Sequence, residues 1–254
     1  IAYRQGGDRV GAIGSQINQS EALQTLGSYL RSRRILEQIN AELSTAPDDR
    51  LKSDSLRSLG GALQVIGDLQ RARDTLEQSL EIAQQFDDGD RIGATLFSLG
   101  NTARNQKDMS AALYYYQQAA NFITLPLDRA ELLLNQLSLA IENQQYERAD
   151  ALIPDIQALL DDVPPSRSSI YARVNLADSQ MKLGQTGEED EAIRSEYKIA
   201  ELLARSVQEA EQLGDRRAQS YALLKLGRLY ELSQYHTEAQ DVTERALVFA
   251  QAIN

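Results

Sequence analysis

One stretch of 25 residues, LRSLGGALQVIGDLQRARDTLEQSL from Leu56 to Leu80, carries a spacing pattern that recurs along the whole chain. Its apolar residues lie three and four positions apart, Gly67-Asp68 interrupts them, and the same spacing then resumes. Such intervals place side chains on one face of a helix. The stretch therefore predicts two helices joined by a turn, with apolar stripes that neither helix buries alone. The stripes are Leu56, Leu59 and Leu63, then Leu69, Ala72, Leu76 and Leu80.

The pattern resembles the tetratricopeptide repeat, which runs apolar, Leu-Gly, aromatic, Gly-x-aromatic, Ala, apolar, Ala. Leu59 and Gly60 match the Leu-Gly pair, Gly67 matches the turn glycine, and Ala72 matches the first alanine. Leucines stand where the family has aromatic residues, and Ser79 replaces the last alanine. The resemblance implies an all-α fold, a right-handed α-solenoid of about six tetratricopeptide-type helical hairpins. Arrays of this long-period style resemble those that precede caspase-like CHAT domains in bacterial proteins.

The residue equivalent to Gly60 marks each copy, and successive markers are separated by 40, 40, 37, 40 and 50 residues. Because the usual tetratricopeptide period is about 34 residues, each helix is expected to be nearly a turn longer than usual. We expect about twelve helices and a single array over residues 1–254. The markers are Ser20, Gly60, Gly100, Leu137, Ala177 and Gly227.

Each marker follows, after nine to twelve residues, an Asp-Arg or Ser-Arg pair. Asp and Ser accept hydrogen bonds from the free N–H groups of a helix's first turn, so each pair predicts a helix start. The arginine that follows is expected to pair with an acidic group of the preceding hairpin. The pairs are Asp8-Arg9, Asp49-Arg50, Asp90-Arg91, Asp128-Arg129, Ser166-Arg167 and Asp215-Arg216.

Three segments depart from the regular array. Residues 1–7 resemble the end of a second helix and its loop, so they are expected to be the tail of a preceding repeat. Residues 185–199 contain the extra sequence behind the step of 50, and they are either a backward extension of a helix from about Glu189 or a free loop. The acidic run 188–191 in this segment suits a solvated first helical turn better than a metal site.

The C-terminal hairpin ends with 246–254, and no further helix follows that could cover its apolar stripe. We therefore expect an incomplete array, some exposed apolar surface, and end-to-end self-association through this face. The stripe consists of Leu226, Leu229, Leu232, Val242 and Leu247.

Composition excludes several function classes. The net charge of −11 and pI near 4.7 argue against nucleic acid, which requires clustered Lys and Arg. There is no Cys and only one His, His236, so the usual zinc sites and Cys–His catalysis are ruled out. No nucleophile-elbow or phosphate-binding glycine motif is visible, and we expect a non-enzyme with no cofactor and no metal. The lack of Cys also fits a cytoplasmic location.

Two further segments admit alternative readings. The run 87–90, Asp-Asp-Gly-Asp, resembles part of a calcium loop but lacks the alternating ligands and closing Glu of an EF-hand, which favours a capped interhelical loop. Residues 109–127 carry no charge, yet they contain amides and Pro126 and lie in register with the repeat. This favours a repeat helix over a membrane span.

The resemblance implies that first helices line a concave groove, and it carries the family's groove positions onto this chain. Asn101, one position after the marker Gly100, matches an Asn that holds the ligand's backbone in several family members. The alternative is a solvated surface with no ligand. The candidate partner-binding residues are Arg57, Phe97, Asn101, Arg104, Asn105, Asp178 and Arg228.

These observations predict a non-catalytic protein–protein interaction scaffold that binds a peptide or a partner domain in the groove. The alternative is the regulatory arm of a larger enzyme or sensor, such as a CHAT protease domain outside this segment. A peptide-sensing regulator is a third option. Neither nucleic acid nor a membrane is an expected partner.

Overall fold

The computed structural model describes residues 8–184 and 189–252, and for residues 189–195 it describes the backbone alone. Within these ranges the chain forms twelve α-helices and no β-strand, so the all-helical prediction is confirmed. The helices are α1 Arg9–Thr25, α2 Tyr29–Leu43, α3 Arg50–Val65, α4 Leu69–Gln85, α5 Gly89–Asn105, α6 Met109–Ala119, α7 Pro126–Glu142, α8 Tyr146–Asp161, α9 Arg167–Gly184, α10 Glu189–Gln212, α11 Arg216–Leu232 and α12 His236–Gln251.

The helices divide between two compact units, which are residues 1–123 and residues 124–254. We call them unit 1 and unit 2. Unit 1 contains α1 to α6 and unit 2 contains α7 to α12. Consecutive helices pair as hairpins, and every marker lies on a first helix and is buried. The single array and its right-handed superhelix remain predictions.

Hairpin α3–α4 shows why the repeat has its spacing. Gly67 forms the turn with φ +87°, and most of the predicted stripe residues are buried. A Cβ added to Gly60 would lie only 2.5 Å from Leu76 Cγ, so the missing side chain lets Leu76 reach the backbone of α3. Gly100 has the same relation to Tyr116, again at 2.5 Å. At these two markers the absence of a side chain therefore lets the second helix pack closely against the first.

Four of the six predicted helix starts are confirmed. Asp8, Asp49 and Asp215 accept first-turn N–H groups of α1, α3 and α11, and the Ser166 hydroxyl accepts the Ser169 N–H in α9.

The other two predicted starts are wrong. Helix α5 is capped by Asp88, and Asp90 lies in its first turn. Helix α7 begins at Pro126, so Asp128 also lies in a first turn. Proline suits the first helical position because its φ is already helical and its missing N–H would have no partner there.

The prediction for the capping-site arginines needs correction. Arg91 pairs with Asp54 of the preceding hairpin at 2.7 Å, as expected. Arg50, however, pairs with Asp88 of the following hairpin at 2.9 Å, and Arg167 likewise pairs with Asp215. Each of these capping carboxylates accepts hydrogen bonds from first-turn N–H groups of its own helix. It also forms a salt bridge with an arginine of the preceding hairpin.

The expected repeat tail at 1–7 and residues 185–188 lie outside the described residues, and from Glu189 the chain is helical in α10. The uncharged run 109–127 divides between α6, a turn and the start of α7. No helix in the described ranges is long and apolar enough to cross a membrane.

The C-terminal stripe is only partly covered, as expected. Leu226, Leu229 and Val242 are buried, whereas Leu232 and Leu247 are 44% and 56% exposed.

Candidate functional site

The unit 1 candidates lie on two first helices. Arg57 is on α3, and the other four are on α5. Phe97, Asn101, Arg104 and Asn105 follow one another at steps of three, four or one, so they share one side of α5.

A buried tyrosine fixes Asn101. Tyr116, fully buried on α6, donates its hydroxyl to Asn101 Oδ1 at 2.7 Å. Its ring also lies 6.0 Å from that of Phe97, measured between centroids. Among the described residues Asn101 Nδ2 has no hydrogen-bond partner. The side-chain amide is therefore held by its oxygen, with its donors available to a ligand.

Arg57 is already paired. Its guanidinium lies 3.1 Å from Glu21 Oε1, which also accepts the Ser58 hydroxyl at 2.7 Å. Arg104 is half-buried, whereas Asn105 is exposed at the end of α5. Because Glu21 neutralises Arg57, this surface is less basic than the sequence indicated.

The unit 2 candidates come together around one buried carboxylate. Asp178, on α9, is 9% exposed and contacts Arg228 of α11 at 3.3 Å. It also contacts Lys225 at 2.7 Å and Lys182 at 2.9 Å. We call these four residues the cation cluster. Three cations surround a single anion, so the cluster has a net charge of +2 in a chain of net charge −11.

Two stacked tyrosines lie beside the cation cluster. Tyr171 of α9 and Tyr221 of α11 have ring centroids 4.9 Å apart and planes 15° apart. The Tyr221 hydroxyl donates to Asn175 Oδ1 at 2.7 Å, and Lys225 Nζ lies 5.7 Å from the Tyr221 centroid. Aromatic faces, amide groups and cations thus share one surface of α9 and α11.

The surroundings of Asp178 keep it ionised. Burial acts to raise the pKa of its carboxyl, but the hydrogen bonds from Lys225 and Lys182 outweigh burial and lower it below the usual value of 3.8. For Tyr221, burial raises the pKa of the hydroxyl, and the charge of Asp178 adds to that effect. At neutral pH the Asp178 carboxyl is therefore ionised.

A second buried ion pair fixes α9 itself. Arg173 is 1% exposed and binds Glu209 of α10 at 2.8 Å. It also donates to the carbonyl groups of Leu160 and Val163, at 2.8 and 2.7 Å. Burial lowers the pKa of Arg173. This residue ties α9 to α10 and to the segment after α8, and so positions the surface that carries Asp178.

The sequence pattern identified Asp178 and Arg228 as candidate binding residues, but it did not identify Lys182, Lys225 or the two tyrosines. A signal was present for the tyrosines, since Tyr171 and Tyr221 each lie six residues before a marker. Comparing equivalent positions of adjacent repeats, rather than matching each repeat to the family pattern, would have found that pair.

In the described ranges no group of three His, Asp or Glu residues could hold a metal ion. In the 87–90 run, Asp88 caps α5 and binds Arg50 and Arg91. The acidic run 188–191 lies outside the residues whose side chains are described.

Comparisons with known proteins agree with this repeat architecture. A family model described as tetratricopeptide repeat matches residues 51–123, and no curated protein sequence matches significantly. BtubC (BKLC) from P. vanneervenii matches with a TM-score of 0.64 and 16% identity over 96% of this chain and 92% of its own. Residues 51–123 thus match the tetratricopeptide-repeat family, whose members are generally non-catalytic.

Two further solved structures share the fold, and both are complexes with a partner. A Rap protein complexed with Competence and Sporulation Factor has a TM-score of 0.66 and 14% identity, over 97% of this chain and 66% of its own. The APC/C hetero-tetramer Cut9-Hcn1 has a TM-score of 0.54 and 13% identity, over 92% of this chain and 42% of the matched chain. At these identities the likeness concerns the fold alone.

Proposed function

We propose that this chain is a non-catalytic scaffold that binds a peptide or a partner domain along the surfaces of its first helices. The repeat family supports an interaction role, and two structures of the same fold were solved with a peptide factor or a partner protein. The particular surfaces are argued from the side chains of this chain.

The observation that carries the proposal is the cation cluster beside the stacked tyrosines. Three cations around Asp178 leave a net charge of +2, and the side chains of Arg228 and Lys182 are 43% and 46% exposed. A carboxylate of a bound peptide would compensate this charge through charge-assisted hydrogen bonds. The face of Tyr171 or Tyr221 offers a platform for an apolar or aromatic side chain.

Unit 1 offers a complementary type of contact. Asn101, held by Tyr116, presents amide donors suited to the carbonyl groups of an extended peptide. Phe97 and Arg104 lie on the same side of α5, and Asn105 extends the polar surface to the end of the helix. Unit 1 would thus bind a peptide's backbone, whereas unit 2 would bind a carboxylate.

The remaining sequence-based expectations belong to the same proposal. We place the scaffold in the cytoplasm because the chain contains no Cys, and we expect neither nucleic acid nor membrane as a partner. Self-association through the exposed Leu232 and Leu247 is an additional proposal. The alternative role, a regulatory arm for an enzyme such as a bacterial CHAT protease, would use the same surfaces.

The test is a selection of randomly displayed peptides on the whole chain, followed by affinity measurements on synthetic copies by fluorescence anisotropy. Lys225→Gln with Arg228→Gln should weaken binding about ten-fold, since two charge-assisted hydrogen-bond donors are lost. Asn101→Ala with Arg104→Ala should also weaken binding, and it should lower the free energy of unfolding by about 1–3 kcal/mol, because the buried Tyr116 hydroxyl loses its acceptor Asn101 Oδ1. Binding is therefore measured where the variant is still folded.

A control variant separates local contacts from bulk charge. Arg216→Gln with Arg245→Gln removes two exposed positive charges from unit 2 without touching the cation cluster. This control should bind as the wild type does. Unchanged affinity in both test variants, or an equal loss in the control, would contradict the proposed surfaces.

A further inference from the structure

A pocket of about 300 Å³ in unit 1 lies away from the candidate residues. Its walls come largely from the second helices α4 and α6, whereas the candidate residues lie on first helices. Aliphatic and aromatic side chains line the pocket together with two amides and one carboxylate. The residues that matter here are Leu80, Leu96, Tyr114, Tyr115, Phe122 and Asp87.

Small residues of α5 allow this aromatic wall to form. A Cβ added to Gly93 would lie 2.9 Å from Phe122 Cβ, so Phe122 packs directly against the α5 backbone. Tyr114 and Tyr115 meet edge to face, with centroids 5.5 Å apart and planes 65° apart. Tyr114 is 57% exposed although it is large and aromatic. The pocket thus presents aromatic surface to solvent.

The electrostatic character of the pocket is negative. Asp87 is its one residue that is charged at neutral pH, and no Lys, Arg or His is among the described residues that line it. Arg73, whose charge acts on Tyr115, lies outside the pocket lining and 3.8 Å from Asp108, which partly offsets that charge. Burial raises the pKa of Tyr115, and Glu77 contributes in the same direction. Aromatic faces with a carboxylate and no fixed cation attract positive charge.

We propose that this pocket receives an arginine side chain of a basic partner peptide. The methylene stem would cover Leu80 and Leu96, while the guanidinium would stack on a tyrosine face and reach Asp87. A purely apolar side chain fits less well, because it would desolvate Asp87 without supplying a partner. The chain's net charge of −11 favours the approach of a basic segment. The acidic lining of this pocket distinguishes it from the unit 2 cation cluster, which has the opposite charge.

The test titrates the whole isotope-labelled chain with N-acetyl-argininamide and follows backbone amide and tyrosine ring resonances by NMR. N-acetyl-citrullinamide serves as the neutral isostere and N-acetyl-leucinamide as the apolar probe. The arginine probe should perturb Tyr114, Tyr115 and Phe122 and bind about five-fold tighter than either other probe. Its advantage over citrulline should shrink as salt is raised.

Variants identify the groups responsible. Asp87→Asn removes the carboxylate charge and keeps a residue type that tolerates the φ of +49° found at this position, and it should weaken arginine binding about three-fold. Tyr114→Leu should weaken it as well. Asp90→Asn, which removes an exposed charge outside the pocket, should not.

Three outcomes would overturn the proposal. The first is equal binding of citrulline or leucine, which would make the pocket merely apolar. The second is an equal effect of Asp90→Asn and Asp87→Asn, which would make the attraction non-specific. The third is a set of resonance shifts, caused by the arginine probe, that does not include the residues lining the pocket.

Discussion

Units 1 and 2 use the same helical hairpins but hold them together differently. In unit 1 the markers Gly60 and Gly100 bring helix backbones close to Leu76 and Tyr116. In unit 2 two of the three markers are the larger Leu137 and Ala177, and buried charged residues support the packing.

The contrast extends to buried polar groups. Within the described residues, the buried polar side chains of unit 1 are neutral hydroxyl groups, as in the Ser53–Ser79 contact at 3.1 Å. Those of unit 2 include Arg173, Glu209 and Asp178. Substitutions that change side-chain volume should therefore destabilise unit 1. Substitutions that change charge, and changes of pH, should destabilise unit 2.

The largest expected effect is in unit 2. Arg173→Met should cost about 3–5 kcal/mol, because it leaves Glu209 without its most buried partner and two carbonyl groups without donors. Urea denaturation measures the loss. Arg205→Met is the control, since Arg205 binds the same Glu209 from a position 49% exposed, and it should cost less than about 1 kcal/mol. Similar losses in the two variants would remove the distinction between the units.

Two adjacent glycines test close packing in unit 1. In Gly60→Ala the new methyl group would collide with the fully buried Leu76. The overpacking cost of about 1–3 kcal/mol should exceed the roughly 1 kcal/mol gained in helix propensity.

In Gly61→Ala the nearest atom would be Gln24 Oε1 at 3.5 Å, so the helix-propensity gain should dominate and the protein should become more stable. Thermal unfolding of both variants checks the opposite signs. Two changes of the same sign would contradict close packing at the marker.

The smallest effect concerns pH. Because the folded pKa of Asp178 is lowered, its ionised form contributes stability above the unfolded value near 3.8, and that contribution is lost as the pH falls through the folded pKa. Asp178→Asn should therefore cost about 1 kcal/mol at pH 7, and the difference from wild type should shrink below about pH 4. Denaturation curves across this range measure it. A difference independent of pH would mean that charge plays no part in holding Asp178.

The regular part of the fold was predictable because helix periodicity, turn glycines and capping residues act locally. The markers and four of six helix starts followed from these signals. The starts at Asp88 and Pro126 were missed because each segment offers competing start residues, and the choice between them depends on cap geometry and on the fixed φ of proline.

The candidate site was predictable only in part. Repeat register placed Asp178 and Arg228 on first helices, but their mutual contact depends on how α9 packs against α11. The pairing of Arg57 with Glu21, which lies 36 residues earlier, likewise depends on packing between hairpins. The buried Arg173 gave no sequence signal, because an arginine in a helix is normally read as exposed.

The most direct test of the scaffold proposal is to locate a bound peptide. A selected peptide carrying a central photoreactive benzoylphenylalanine would be crosslinked to the whole chain, and the attachment points would be mapped by mass spectrometry. Attachment should fall on first helices, foremost on α9 and α11 around Tyr171, Tyr221 and Arg228. Attachment confined to the second helices of unit 2, α8, α10 and α12, would contradict the proposal.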